Sequence, residues 1–239
     1  MIITVDGPGG SGKSTVSRIV ARRLGVPCLN SGYIYRAATL LVLESGGDFE
    51  DREKVARIVS GMRIRFQEDE RATRVFVTER AALPERDVTS RLKDPDVTPQ
   101  IYRIANDGHY RSLLVDLQRR SAGPEGVVAE GRDMGTVIFP QADYKFYLDA
   151  SPEVRARREQ HDLEAKGHSR RFEDVLSEVL DRDRHDRDRE HAPLRVPPGA
   201  LVISTDSLSI DQVVDAMLRR IETTRRAGRG AGVEVRNAP

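Results

Sequence analysis

A chain of 239 residues with 38 % hydrophobic residues can bury a sizeable core as one domain with inserts. Its 39 basic and 38 acidic side chains leave a net charge of +1, so no global field draws it to nucleic acid, and no run nears the ~18 apolar residues of a membrane span. The single cysteine, Cys28, excludes an internal disulfide and reads as a small buried hydrophobe in Val26-Pro27-Cys28-Leu29. With no leader pattern ahead of the first strand, the cytoplasm is the expected location.

In chain order, Ile2-Ile3-Thr4-Val5 predicts a strand. Gly7, Pro8, Gly9, Gly10, Ser11, Gly12, Lys13 and Ser14 then match G-x-x-x-x-G-K-[ST], with Thr15 closing the run. Val16, Ile19, Val20 and Leu24 follow on one helix face. A strand before and a helix after are what a phosphate-binding loop requires: its backbone N–H groups and the helix N-terminus face phosphate oxygens. Lys13 is expected on the β- and γ-phosphates and the Ser14 hydroxyl on Mg2+. A nucleoside triphosphate is implied; the acceptor is not.

Pro27-Cys28-Leu29 predicts the second strand, followed by Asn30-Ser31-Gly32-Tyr33-Ile34-Tyr35-Arg36 at the carboxyl edge, where open α/β sheets bind ligands. The alternative for that segment is an ordinary turn with Tyr35 in the core and Arg36 on the surface. Arg63–Phe66 and Arg74–Val77 alternate like strands around the turn Gln67-Glu68-Asp69-Glu70, an inserted hairpin. Val127-Val128-Ala129 predicts a strand leading into Glu130-Gly131-Arg132-Asp133-Met134-Gly135-Thr136. Lys145–Leu148 and Leu201–Ile203 predict two more strands, and Ile210, Val213, Val214, Met217, Leu218 and Ile221 a last helix. Five strands alternating with helices give an α/β core, a parallel sheet covered on both faces.

Arg155, Arg157 and Arg158 precede the polar stretch Lys166-Gly167-His168-Ser169-Arg170-Arg171, and Arg182, Asp186 and Arg189 are spaced for one helix face. A solvated helix of ion pairs is the plain reading of such a run. Phosphoryl transfer, however, calls for guanidiniums that match phosphate oxygens. A nucleotide-switched RNA binder is disfavoured by the interleaved aspartates, which cancel the field an RNA groove needs. A kinase acting on a hydroxyl stays open, with Asp6 and Asp133 as candidate bases.

DGPGGSGKST, SGYIYR, EGRDMGTVIFP, FYLDASPEVRARR and the Arg-Asp run ending in HAPL resemble, in that order from about residue 2 to residue 222, the bacterial cytidylate kinases. The resemblance implies a P-loop nucleoside monophosphate kinase domain over about 1–222. It would carry a nucleotide-binding insert over about 31–108, a lid over about 157–172 and a disordered tail over 223–239. It implies a monomer catalysing ATP + CMP ⇌ ADP + CDP, or the dCMP counterpart, with Mg2+ and with no nucleic-acid or membrane partner. Gly7 to Thr15 would hold ATP. Arg36, with Arg132 nearby, would take the CMP phosphate. Asp133, Arg111 and Ser31 would read the base, with Tyr35 and Tyr102 alongside, and Arg182 and Asp186 would meet the ribose. Arg189, Arg157 and Arg158 would stabilise the transferring group. Four residues depart from the family pattern: Asn30 where an acid is frequent, Tyr33 for a smaller residue, Tyr102 for a serine that helps hold the base, and Gly108 for a frequent proline. A phosphate acceptor is ionised near neutrality, with a second pKa of about 6, and needs no base. The five histidines, His109, His161, His168, His185 and His191, receive no role.

Overall fold

A computed structural model describes residues 1–69, 72–79, 83–165 and 167–230. Glu70 of the expected turn, Lys166 of the expected lid and residues 231–239 of the expected tail lie outside the described residues. The chain begins with β1 (Ile2–Asp6), α1 (Lys13–Leu24), β2 (Cys28–Asn30) and α2 (Ser31–Glu44). An inserted segment follows with α3 (Arg52–Gly61), β3 (Arg63–Glu68), β4 (Thr73–Thr78), β5 (Arg86–Asp87) and α4 (Ile101–Ala105). The core resumes with α5 (Gly108–Arg120), β6 (Val127–Gly131), β7 (Tyr144–Asp149), α6 (Pro152–Glu164), α7 (Phe172–Asp188), β8 (Leu201–Ser204) and α8 (Ile210–Gly230).

Five strands form one parallel sheet in the order β2-β6-β1-β7-β8. Register sets Asp6 opposite both Gly131 and Tyr147, so the glycine-rich loop leaves the sheet beside the end of β6. The strands read as apolar runs because both faces are covered. Ile3, Val5, Val128 and Phe146 pack on Val16, Val20, Val213 and Met217 of α1 and α8. Val127 and Ala129, one residue out of phase, pack with Ile34, Leu40, Ile104 and Leu114 of α2, α4 and α5. The fold is the expected α/β class, and no helix among the described residues is long and apolar enough to cross a membrane.

The hairpin forms as β3 and β4, antiparallel from Arg63↔Thr78 to Glu68↔Thr73, and β5 adds a third strand. At two residues, β5 is too short to leave an alternating pattern. Val75 and Val77 turn inward, while Phe76 lies between the Arg65 and Arg74 guanidiniums, 4.2 and 5.0 Å from its ring centroid. Two expectations are corrected. α8 runs on to Gly230 rather than fraying at Thr223, with the Thr223 and Thr224 hydroxyls donating to the Arg219 and Arg220 carbonyls. α7 ends at Asp188, so Arg189 stands outside the helix in extended backbone and does not share a face with Arg182 and Asp186. The chain must reverse there: Ala192 takes a left-handed φ of 53°, and the Leu194 N–H returns to the Asp186 carbonyl.

Candidate active site

The loop of residues 7–15 wraps tightly because glycine occupies its forbidden corners. Gly7 has φ 146°, and a Cβ there would lie 2.0 Å from the Leu148 carbonyl oxygen. Gly12, at φ 90°, turns the chain into α1 with Lys13 as the first helical residue. Lys13 is buried and its ammonium donates to the Pro8 carbonyl at 2.6 Å; the Ser11 hydroxyl donates to the same oxygen at 3.0 Å. Burial, helped by nearby Arg132, pulls the Lys13 pKa down to about 7. A phosphate beside it reverses that penalty.

Two carboxylates flank the loop. Asp6, fully buried, accepts the Met134 and Gly135 N–H groups at 2.7 and 2.8 Å where a single π-helical turn, Met134–Ile138, leaves β6. Burial pushes its carboxyl up to about 7, against those two hydrogen bonds. Glu130, also buried, accepts from the Asn30 amide in a short contact, and the same amide nitrogen lies 3.4 Å from the Ser14 hydroxyl. Mg2+ keeps several waters and leans on nucleotide phosphates. One hydroxyl with a single carboxylate nearby fits that habit, and no cluster of three metal-ligating side chains occurs among the described residues. Asn30, in place of an acid, also caps α2 by accepting the Tyr33 N–H at 3.2 Å.

Arginines from separate elements converge on the other side. Arg132 at the end of β6 donates through Nε to Asp186 of α7 at 2.7 Å. Burial opposes its charge, but Asp186 and then Glu130 hold its pKa above the ordinary arginine value. Arg182, one turn before Asp186, is gripped by both Glu159 oxygens at 3.1 Å. A Cβ on Gly9 would lie 3.3 Å from the Arg182 Nη1 and 3.4 Å from the Arg132 Nη2, so both guanidinium tips reach the phosphate loop. Arg182, expected at the ribose, thus stands against the donor loop. Arg36 of α2 donates to the Leu92 carbonyl and the Thr98 hydroxyl at 3.0 and 2.9 Å. Burial and the neighbouring Arg182 lower its pKa.

The expected base readers meet each other. Arg111 of α5 and Asp133 form a short buried ion pair, Arg111 also donates to the Ala105 carbonyl at 2.9 Å, and its guanidinium lies 5.4 Å from the Tyr35 ring centroid. Burial still drives the Asp133 carboxyl above its usual range. The Tyr35 side chain is buried with its hydroxyl beside the Gln118 amide, and burial pushes its pKa to about 12. Ser31 faces Gly131 so closely that a Cβ there would come 2.5 Å from its hydroxyl oxygen. Arg189 donates through Nε to the Ala192 carbonyl at 2.7 Å, and its buried Nη2 has no partner. Its pKa falls through burial and the charge of Arg111. After burial, the charges that weigh most on Arg189 are those of Arg111 and then Asp133.

The arginines of α6 divide. Arg158 donates to the Gly10 carbonyl at 3.4 Å and to the Thr205 carbonyl at 2.6 Å. Arg157 is turned away, 4.9 Å over the Phe172 ring, and does not join the cluster. Arg155, given no role from sequence, is nearly inaccessible at 1 % exposure and pairs with Asp183 through bonds of 2.8 and 2.6 Å. It also donates to the Gly9 carbonyl at 3.1 Å, bracing the loop from outside. The only signal available was an arginine and an aspartate 28 residues apart among many such pairs. Glu130 and Asp6 could be placed only once the strand ends were aligned. Tyr102 stacks on His185, and Gly108 leaves room for the His191 ring, whose Nε2 would lie 2.8 Å from a Cβ at that position.

The family model described as cytidylate kinase matches residues 3–223. The cytidylate kinase of Carboxydothermus hydrogenoformans is 39 % identical over 92 % of this chain and 97 % of its own length. That of Methylococcus capsulatus is 38 % identical over 93 % and 97 %. A bifunctional pantoate ligase/cytidylate kinase of Synechococcus sp. is 39 % identical over 90 % of this chain, which spans 43 % of that protein's length. A solved shikimate kinase from Bacteroides thetaiotaomicron covers 95 % of this chain and 98 % of its own at 13 % identity and a TM-score of 0.46, too distant to carry an argument.

Proposed function

The chain belongs to the cytidylate kinase family, which transfers a phosphoryl group from ATP to CMP or dCMP, and we propose that its residues divide that reaction between a donor loop and an arginine-lined acceptor site. The γ-phosphorus forms a bond to an acceptor phosphate oxygen as its bond to the β–γ bridging oxygen breaks. No proton need move, because the acceptor oxygen is already ionised. Catalysis reduces to aligning two polyanions and cancelling their repulsion.

The observation that carries this reading is the pair of arginine tips at Gly9, with neither nearby aspartate free to act as a base. Asp6 is committed to two backbone N–H groups and Asp133 to Arg111, which argues against a hydroxyl acceptor. Residues 7–15 bind the ATP phosphates through backbone N–H groups and Lys13. Bound Mg2+ would supply Lewis-acid neutralisation of the phosphate oxygens, and Ser14 with the Glu130–Asn30 pair would hold it. Arg132 and Arg182 neutralise the transferring group, with Arg158 beside Gly10. Arg36 and Arg189 take the acceptor phosphate, Asp133 and Arg111 the cytosine, with Ser31 and Tyr35 lining the pocket. Arg157 takes part only if the α6–α7 segment closes as a lid. In this reading the protein works as a cytoplasmic monomer on ATP and CMP or dCMP.

A coupled ADP-release assay with Mg-ATP against CMP, dCMP, UMP, AMP and no acceptor tests this. Turnover with CMP and dCMP well above the rest is expected. Slow ADP release independent of any acceptor would overturn it.

A further inference from the structure

We propose that His191 positions Arg189: its ring, seated on Gly108 at the start of α5, holds the turn beyond α7 in the shape that presents the Arg189 guanidinium to the acceptor. The inference rests on the kinase reading above, in which Arg189 takes the acceptor phosphate. It gives a role to one histidine that received none from the sequence.

The turn beyond α7 does not hold itself. Ala192 takes a left-handed φ of 53°, a conformation that a side chain disfavours and that persists where the surroundings over-determine it. Arg189 adds little support. Its Nε donates to the Ala192 carbonyl at 2.7 Å, inside the same turn, and its buried Nη2 has no partner. A buried donor without an acceptor is costly, so this nitrogen waits for an anionic oxygen and other contacts must keep it in place. On the inner side Leu194, buried, returns its N–H to the Asp186 carbonyl at 2.7 Å. On the outer side His191, otherwise exposed, reaches across to α5. A Cβ on Gly108 would lie 2.8 Å from the His191 Nε2, 3.0 Å from Cδ2 and 3.1 Å from Cε1, so the far edge of the ring rests on the glycine.

Gly108 points to the same contact. It is the first residue of α5, directly after the Asp107 cap that accepts the His109 and Tyr110 N–H groups. Its φ lies outside the left-handed region, so the backbone does not call for glycine there. A helix favours alanine over glycine, and what the missing Cβ provides is room for the ring. The contact also ties together two arginine-bearing elements. Arg111 lies within the first turn of α5, and Arg189 stands two residues before His191.

The test is a pair of double-substitution cycles, His191 with Arg189 and His191 with Gly108, read by CMP calorimetry, KM for ATP and thermal unfolding. His191→Ala should weaken CMP binding roughly threefold to tenfold while KM for ATP stays within about twofold. In the Arg189→Ala background the same substitution should add no further loss, because the ring acts through Arg189. Gly108→Ala, whose methyl displaces the ring, should weaken CMP binding as His191→Ala does. With His191→Ala already present, Gly108→Ala should leave CMP binding where it was and raise the unfolding midpoint by about 1–4 °C. Unchanged CMP binding in His191→Ala would overturn the proposal. So would losses from His191→Ala and Arg189→Ala that simply add, or an equal weakening of ATP and CMP. Normal CMP binding in Arg189→Ala would instead strike the reading of Arg189 on which the proposal rests.

Discussion

At the donor end, nine consecutive residues from Gly7 to Thr15 form the phosphate cradle, mainly from backbone. Facing it, Arg36, Arg132, Arg182 and Arg189 come from α2, the residue after β6, α7 and the turn beyond it, with Arg132 and Arg182 reaching back to the loop at Gly9. The donor loop needs glycines and one lysine, because a curled backbone already presents N–H groups. The acceptor end instead gathers like charges that disfavour one another. Burial lowers the pKa of Arg36 and Arg189, and Asp186 and Glu159 hold Arg132 and Arg182 in place. A loop can serve many kinases; a cluster of arginines whose mutual repulsion an arriving phosphate relieves commits the site to a phosphate acceptor.

The contrast can be broken first at its weakest point, since the donor loop is not wholly self-made. Arg155 spans from Asp183 to the Gly9 carbonyl. Asp183→Ala would leave a buried guanidinium unpaired, at a cost of about 3–5 kcal/mol. Thermal unfolding should fall by roughly 10 °C for a domain of this size. A shift of less than about 2 °C would show that the loop needs no brace. A smaller effect sharpens the acceptor side. Asp133→Asn keeps the shape but replaces an acceptor-only carboxylate by an amide that can offer a donor to a carbonyl as readily as an acceptor to an exocyclic amine, so the CMP:UMP ratio in kcat/KM should fall at least about tenfold. An unchanged ratio would take base reading away from Asp133.

The smallest effect is a pH dependence at the junction of the two ends. Burial raises the Asp6 carboxyl in the folded chain from its ordinary value of 3.8 to about 7. The folded state then binds the extra proton between those values, so this group's contribution to stability is greatest below about pH 4 and is lost as pH rises through about 7. The stability gap between the unsubstituted protein and Asp6→Asn, measured by urea unfolding, should therefore shrink from pH 5 to pH 7.5. A gap that stays constant over that range would mean the two N–H bonds outweigh burial and keep Asp6 ionised in both states.

The same contrast governs what could be read from the sequence. The loop was legible because its chemistry is contiguous, and the five core strands because burial on both faces makes apolar runs. The acceptor arginines were legible as residue types but not as partners: Arg132 meets Asp186 across 54 residues, and nothing local distinguishes that aspartate from its neighbours in the run. Helical spacing failed for Arg189 because the reversal at Ala192 ends α7 one residue earlier. Arg157 and Arg155 differ by two positions, yet one stacks on Phe172 and the other is sealed beneath the loop. A helix turns successive residues by about 100° each, and which side faces Gly9 depends on how α6 docks. Tyr102 was placed by its position in the motif order, and the ring beneath it lies 83 residues later in the sequence.

Arginines reaching across to Gly9 are placed to act on the transferring phosphoryl group, and Arg182→Ala isolates that action when kcat and the CMP dissociation constant are measured together. Removing a group that acts only on the transferring phosphoryl should lower kcat by roughly 10²- to 10³-fold. CMP binding by calorimetry should stay within about threefold of the unsubstituted enzyme. Lost CMP binding with kcat retained at saturation would return Arg182 to the ribose and take it away from the transferring group.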